Sequence, residues 1–166
     1  LQRRRQRQMC IRDRNLNTSG NATLNADYSI SSSTITISAG STSGAATLTA
    51  ITDQLDDDGE AIVVDISSVS GANSVAENGT QQTTVTITDD DNASFTVTQT
   101  SGSTIVDESG SADNFTVVLG SQPTGNVAFS LGASDSSEVS ISPSTLTFTS
   151  SNWNNAQTVS YTHLTL

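Results

Sequence analysis

The chain of 166 residues is long enough for one large domain or two small ones. Seventeen acidic residues against six basic ones give a net charge of −11, which argues against nucleic acids and anionic membrane surfaces as partners. All six basic residues are arginines within the first fourteen positions, so the rest of the chain is acidic throughout. No apolar run approaches the roughly 20 residues that a membrane-spanning helix needs, and we expect no direct insertion into a membrane.

The two terminal segments share an unusual relation at the level of codons. Codons for residues 6–13 can be chosen so that their reverse complement encodes residues 159–166 letter for letter. The string also resembles a transposase adaptor used in sequencing libraries. We therefore predict that residues 1–14 and 159–166 are translated adaptor flanking a fragment of a larger gene, and that they are not part of the natural fold. The alternative is a basic leader, but no apolar segment follows Arg14.

Between these ends, polar and apolar residues alternate with period two in short segments rich in β-branched and aromatic residues. In chain order the segments are residues 28–37, 46–52, 60–69, 81–88, 94–98, 115–117, 127–129 and 146–148. Glycines and clusters of Asn, Asp and Ser separate them, and no long stretch has a helical stripe. This pattern predicts an all-β fold of antiparallel, immunoglobulin-like β-sandwiches.

An internal repeat sets the predicted domain size. Residues 27–37 align on residues 138–148 without a gap, and apolar positions fall on apolar positions. A period of about 110 residues corresponds to a whole sandwich domain rather than to a short solenoid repeat. We therefore expect tandem units, with residues 15–92 as the C-terminal part of the first sandwich and residues 93–158 as the N-terminal part of the second. Both units are predicted to be truncated, each without strands that should cover its core.

The acidic residues fall into three groups in the first predicted unit. These groups are Asp27, then Asp53 with Asp56, Asp57, Asp58 and Glu60, and finally Asp89, Asp90 and Asp91. If successive strands alternate in direction, all three groups meet at one end of the sandwich. Carboxylates with no nearby cation repel one another, and Ca²⁺, which takes roughly six to eight oxygen ligands, relieves that repulsion. Zinc and copper are not expected, because residues 15–158 contain neither His nor Cys. The alternative is a set of solvated loops that only aid solubility.

At these residues the chain resembles the Calx-β family, which includes domains of sodium–calcium exchangers, integrin β4 and large bacterial surface proteins. The resembling segments are residues 19–28, the loop from Ile51 to Glu60, the strand and aspartates at 85–91, the acidic turn at 107–110, and residues 146–159. Two positions depart from the family pattern: Thr52 stands where the first Asp of a pair is usual, and Gly59 where an acid is common.

The resemblance implies a specific set of calcium ligands. In the first unit it implicates Asp27, Asp53, Asp57, Glu60, Asp89, Asp90 and Asp91. In the second unit, Glu108 and Glu138 would be the start of a second site.

Catalysis has little support in the sequence, and we expect no enzyme. The only His lies in the predicted adaptor, and no Ser occupies a Gly-x-Ser-x-Gly elbow. We expect a calcium-binding segment of a large extracellular or cell-surface protein, serving as a Ca²⁺-stiffened stalk or adhesive array. Its partners would be neighbouring repeats and a surface receptor or matrix ligand. The alternatives are a metal-independent spacer with solubilising loops and, from the family, a regulatory Ca²⁺ sensor of a membrane transporter.

Overall fold

The computed structural model describes residues 11–71, 76–102 and 105–164. Within these ranges the chain is all-β, with twelve strands in four antiparallel sheets and one short 3-10 turn at Thr100–Gly102. The strands are β1 (Arg12–Gly20), β2 (Tyr28–Ile30), β3 (Thr34–Ile37), β4 (Leu48–Ala50), β5 (Ala61–Gly71), β6 (Gln82–Thr86), β7 (Phe95–Gln99), β8 (Ala112–Leu119), β9 (Val127–Ser130), β10 (Val139–Ser142), β11 (Thr145–Phe148) and β12 (Gln157–His163).

The described residues form two compact units. The first contains the chain through Asp53 together with Asp58–Asp89, and the second contains Gln54–Asp57 and the chain from Asp90 onward. The predicted boundary between residues 92 and 93 therefore lies three residues from the division at 89/90. Residues 1–10 and 165–166 of the predicted adaptor segments lie outside the described residues.

The first unit has a four-stranded sheet in the order β3-β1-β5-β6 and a two-stranded sheet of β2 and β4. One face of the larger sheet is polar: Asp13 accepts from the Thr36 hydroxyl at 2.8 Å, and Asn15 bonds Thr34 and Ser68. Because side chains alternate along a strand, the residues between these polar ones point to the opposite, inner face. Among the described residues of this unit, Tyr28 and Ile62 are the buried apolar side chains.

The second unit has a four-stranded sheet in the order β10-β12-β8-β7 and a two-stranded sheet of β11 and β9. Both sheets contribute to one core of four buried residues, in which Val117 and Val159 face Leu146 and Phe148. Phe129 packs edge-on against Phe148, with ring centroids 5.9 Å apart. Two sheets sharing one apolar layer is the arrangement of a sandwich.

The two units share the pairing of four strands. Leu16 donates to the Ser33 carbonyl at 2.8 Å in the first unit, and Leu131 donates to the Ser144 carbonyl at 2.9 Å in the second. Strand β1 therefore corresponds to β9 and β3 to β11, and similarly the β2–β4 pair corresponds to β10–β12. The units differ in their other strands, since β1 also pairs with β5, whereas β12 also pairs with β8.

The prediction of one strand over residues 28–37 is wrong. The structure divides this segment into β2, which pairs with β4, and β3, which pairs with β1 in the other sheet. Ser31 and Ser32 make the change of sheet possible, because their side chains satisfy backbone groups outside any ladder. The Ser31 hydroxyl accepts from the Thr47 amide at 2.9 Å, and the Ser32 hydroxyl bonds both the amide and the carbonyl of Thr34.

Two strands cross the predicted limits of the adaptor segments. Strand β12 extends through residues 159–163, and Val159 is completely buried. Strand β1 begins at Arg12, and its register places Arg12 opposite Ile37 and Arg14 opposite Ile35. The corresponding pairs of the second unit are Val127–Phe148 and Phe129–Leu146, with apolar residues on both strands.

The arginines of β1 therefore occupy inward positions that the equivalent strand fills with apolar side chains. Arg12 and Arg14 lie on the same face as Leu16, opposite to the polar face of Asp13 and Asn15. The Nε of Arg12 is buried and has no hydrogen-bond partner. The assignment of residues 1–14 and 159–166 to an adaptor stays a prediction.

Candidate cation site

The loop after β1 brings one end of the first unit together. The Asn21 side chain accepts from the Ala61 amide at 2.8 Å and donates to the Gly59 carbonyl at 3.2 Å. These two hydrogen bonds hold the start of β5 beside the end of β1. At the same end, the Ile87 amide donates to the Glu60 carbonyl at 3.0 Å. The segment that follows β6 and leads to Asp89 therefore starts beside Glu60.

Asp27 is fixed at this end by bonds to both its backbone and its side chain. Its amide donates to the Thr23 carbonyl at 2.9 Å, and its carboxylate accepts from the Thr23 amide. Its carbonyl accepts from Ile51 at 2.9 Å, which extends the β2–β4 pairing toward Asp53. Asp27 and Asp53 each offer a carboxylate oxygen, and these oxygens lie within 4.8 Å of each other.

The spacing of Asp27 and Asp53 suits two ligands of one hard cation. Two oxygens bound to the same Ca²⁺ at about 2.3–2.6 Å can lie up to roughly 5 Å apart. The described basic side chains of this unit, Arg12 and Arg14, lie at the start of β1, which is the opposite end of the sheet because β1 ends beside Ile62.

The other predicted ligands are divided between the two units. Glu60 and Asp89 belong to the first unit, at the end that holds Asp27. Asp57 lies in the short segment 54–57 that belongs to the second unit. Asp90 and Asp91 also belong to the second unit, and they offer carboxylate oxygens within 4.8 Å of each other.

Glu108 and Glu138 lie at one end of the second unit. Strands β8 and β10 both start there, on either side of β12. The Glu138 carbonyl accepts from Leu164 at 2.8 Å, which matches the bond from Ile51 to Asp27 in the first unit. Glu138 therefore occupies the position equivalent to Asp27. Its side-chain contact differs, because the Glu138 carboxylate lies 3.3 Å from the Nε2 atom of His163.

Three aspartates at this end were not among the predicted ligands, and they accept hydrogen bonds from nearby amides and hydroxyls rather than forming a carboxylate cluster. Hydrogen bonds from the hydroxyl and amide of Ser109 hold the pKa of Asp107 below its ordinary 3.8, and Ser137 does the same for Asp135. Amides of Asn114 and Ile105 lower the pKa of Asp113. The Asp-x-Ser spacing of the first two was the available signal, since Asp commonly bonds the amide two residues on.

These three aspartates predict an acid-sensitive second unit. A carboxyl whose pKa is lower in the folded state stabilises the fold above its unfolded value of 3.8, and this contribution is lost as pH falls through the lowered value. We expect the unfolding midpoint followed by Trp153 fluorescence to fall as the pH is lowered below 3.8. Replacing all three by Asn should flatten this dependence, since Asn keeps an acceptor that does not titrate. Equal slopes in both proteins would contradict the prediction.

In comparisons with models of known families, with curated proteins and with solved structures, nothing matches the chain. Within the described ranges, no helix is both long and apolar enough to cross a membrane. The described residues form an all-β protein of two units that have four strand pairings in common. Acidic residues gather at one end of the first unit.

Proposed function

We propose that the chain is a calcium-binding repeat segment and that Asp27 and Asp53 begin the cation site of its first unit. The observation that carries the proposal is the approach of these two carboxylate oxygens to within 4.8 Å. Like charges held this close are unfavourable unless a cation or another partner compensates them. Oxygen ligands without thiolate or imidazole favour a hard ion, and Ca²⁺ tolerates the irregular geometry of loop ligands better than Mg²⁺.

The proposed ligand set extends along the same end of the first unit. Glu60 and Asp89 lie at that end, where the bond from Ile87 to the Glu60 carbonyl holds the end of β6 against the start of β5. Backbone carbonyls and water would complete the six to eight oxygens that Ca²⁺ takes. Asp57, Asp90 and Asp91, and in the second unit Glu108 and Glu138, remain proposed ligands from the resemblance to Calx-β domains.

The proposed biological role is a Ca²⁺-stiffened stalk or adhesive array of a secreted or surface protein. The repetition of four strand pairings in consecutive units supports a tandem architecture. An ion bound only by the folded state stabilises it, and millimolar extracellular Ca²⁺ suffices for sites with dissociation constants of about 10⁻⁴–10⁻³ M. Neighbouring repeats and a receptor or matrix ligand are the proposed partners, and no catalytic role is proposed.

Thermal melts in Ca²⁺ and in chelator test the proposal. At a Ca²⁺ concentration about ten times the dissociation constant, we expect the first unit to gain about 1.4 kcal/mol, which corresponds to roughly 6–11 °C in Tm. Asp27→Asn with Asp53→Asn should abolish the gain. The Asn at position 27 keeps an acceptor for the Thr23 amide, so the loop retains this bond. Far-UV circular dichroism gives the melting curve.

Glu77→Gln is the matched control for these substitutions. Glu77 lies in the first unit between β5 and β6, at the end opposite to Asp27, and its side chain accepts from the Gln81 amide at 2.7 Å. Gln preserves that acceptor and removes one charge, so this variant should keep the full calcium response. Identical melts of the parent chain in Ca²⁺ and chelator would instead identify a metal-independent spacer.

A further inference from the structure

Strand β9 has an open edge. Among the described residues it pairs with β11 alone, whereas its counterpart β1 pairs with β3 on one side and β5 on the other. Leu131 donates to the Ser144 carbonyl of the β9–β11 pair. Because amides alternate in direction along a strand, Ala128 and Ser130 present their N–H groups to the open side.

The apolar face beside this edge is uncovered. Phe95 and Val97 of β7 are 56% and 49% exposed, whereas Val117 on the neighbouring strand β8 is 3% exposed. An open groove of about 520 Å³ adjoins this face between Phe95 and the segment 121–127, and Leu119 and Phe129 contribute to its lining. Large exposed apolar side chains beside an unpaired strand edge are typical of a site for strand addition.

In the first unit, strand β5 pairs with the edge of β1 that corresponds to the open edge of β9. There, Leu16 lies opposite Ile66, and Arg14 lies opposite Val69. Since Leu131 corresponds to Leu16 and Phe129 to Arg14, a β5-type strand in the same register would place Ile66 and Val69 beside Leu131 and Phe129. Ile62 of β5 is almost completely buried in its own unit, so the inner face of this strand is already suited to a sandwich core.

We propose that the open edge of β9 binds an antiparallel strand of the β5 type, supplied by another repeat of the same kind. The incoming strand would form backbone hydrogen bonds with Ala128 and Ser130 and would cover Phe95 and Val97 with its apolar face. Backbone pairing provides affinity, and alternate side chains in the groove provide register.

Binding of a labelled peptide to the full chain tests this proposal. The probe is a fluorescent peptide with the sequence of residues 58–71, which contains β5 and three acidic residues. We expect saturable binding by fluorescence anisotropy, with slower hydrogen exchange at Ala128 and Ser130. Ala128→Pro removes an open-side donor while leaving the β9–β11 bonds in place, and we expect affinity to fall at least about 10-fold.

Thr147→Pro is the matched control on the chain. Thr147 lies opposite Ala128 in the β9–β11 register, and its amide points to the other edge of the pair, so this variant should bind the peptide normally. A second control uses the intact chain with a peptide carrying Ile66→Asn and Val69→Asn, which should not bind. The comparison of the two peptides uses the intact chain, so it tests the proposal even if a proline variant does not fold. Circular dichroism shows whether each proline variant is folded.

Three results would overturn the proposal. The first is no saturable binding of the peptide to the intact chain. The second is equal affinity for the parent peptide and its double Asn variant. The third is hydrogen-exchange protection that avoids β9, which would place the peptide at another edge. The proposal does not depend on calcium, and the same titration in chelator separates it from the function of the acidic end.

Discussion

Replacing Phe148 by Ala should unfold much of the second unit. Phe148 is 0% exposed and lies between Leu146, Val117, Val159 and the edge of Phe129. Removing a buried Phe side chain costs about 3–5 kcal/mol, because the apolar transfer energy is lost and a cavity remains. Filling that cavity would require movement of the buried core residues and of the partly buried apolar residues that pack against them. We therefore expect the largest single-residue loss of stability at this position.

Urea denaturation followed by Trp153 fluorescence measures this effect in the second unit alone. Trp153 is the only tryptophan of the chain, and its carbonyl accepts from the Leu119 amide at 3.2 Å within that unit. Phe95→Ala is the control, because Phe95 also packs against Phe129, at 5.1 Å between centroids, but is largely exposed. A loss for Phe95→Ala equal to that for Phe148→Ala would contradict the assignment of the core.

Replacing Arg12 by Val and Arg14 by Phe should stabilise the first unit. The double variant copies the residues found at the equivalent positions of β9, Val127 and Phe129. It adds apolar surface next to Ile37 and Ile35 and removes the buried, unpartnered Nε of Arg12. Two half-buried apolar side chains and the relief of one unsatisfied donor together give about 2–3 kcal/mol.

Asp13→Val is the control for this gain, since Asp13 lies between the two arginines along β1 but faces the other side of the sheet. Its carboxylate accepts from the Thr36 hydroxyl at 2.8 Å, so the substitution should cost about 0.5–1.5 kcal/mol. Far-UV circular dichroism follows the unfolding of both units, whereas Trp153 fluorescence follows the second unit alone. The measurement is therefore the circular dichroism transition that has no counterpart in fluorescence, which reports the first unit. If the arginine variants lose stability, these positions do not face an apolar interior.

Alternation of polar and apolar residues was sufficient to predict most strands. The segments predicted at 60–69, 81–88 and 94–98 correspond to β5, β6 and β7 within a few residues. Polar and apolar residues alternate with period two both before and after the change of sheet. The sequence pattern of residues 28–37 is therefore the same as that of a single strand. Hydrogen bonds of Ser31 and Ser32 mark the division, and the partner of Ser31 is Thr47, which is distant in sequence.

The candidate site was partly predictable for a similar reason. Strand direction placed Asp27 and Asp53 at a common end, because β2 and β4 are antiparallel. The sequence could not assign Asp57 to the second unit, because that assignment depends on contacts such as the bond from the Gln122 amide to the Gln54 carbonyl, at 2.7 Å. Nor could it distinguish acids that cap backbone amides, such as Asp113, from acids that face one another.

The change of sheet at Ser31–Ser33 has a mechanical consequence. In each unit the chain passes several times between the two sheets, and the shortest of these passages are β2 to β3 in the first and β10 to β11 in the second. At these two places only a few residues join the layers covalently. A tensile load cannot slide the layers apart as intact plates, because the short connection would first have to pull a strand out of its ladder. We therefore expect resistance to stretching to depend on the hydrogen bonds of β1 with β3 and of β10 with β12, loaded in shear along their strands.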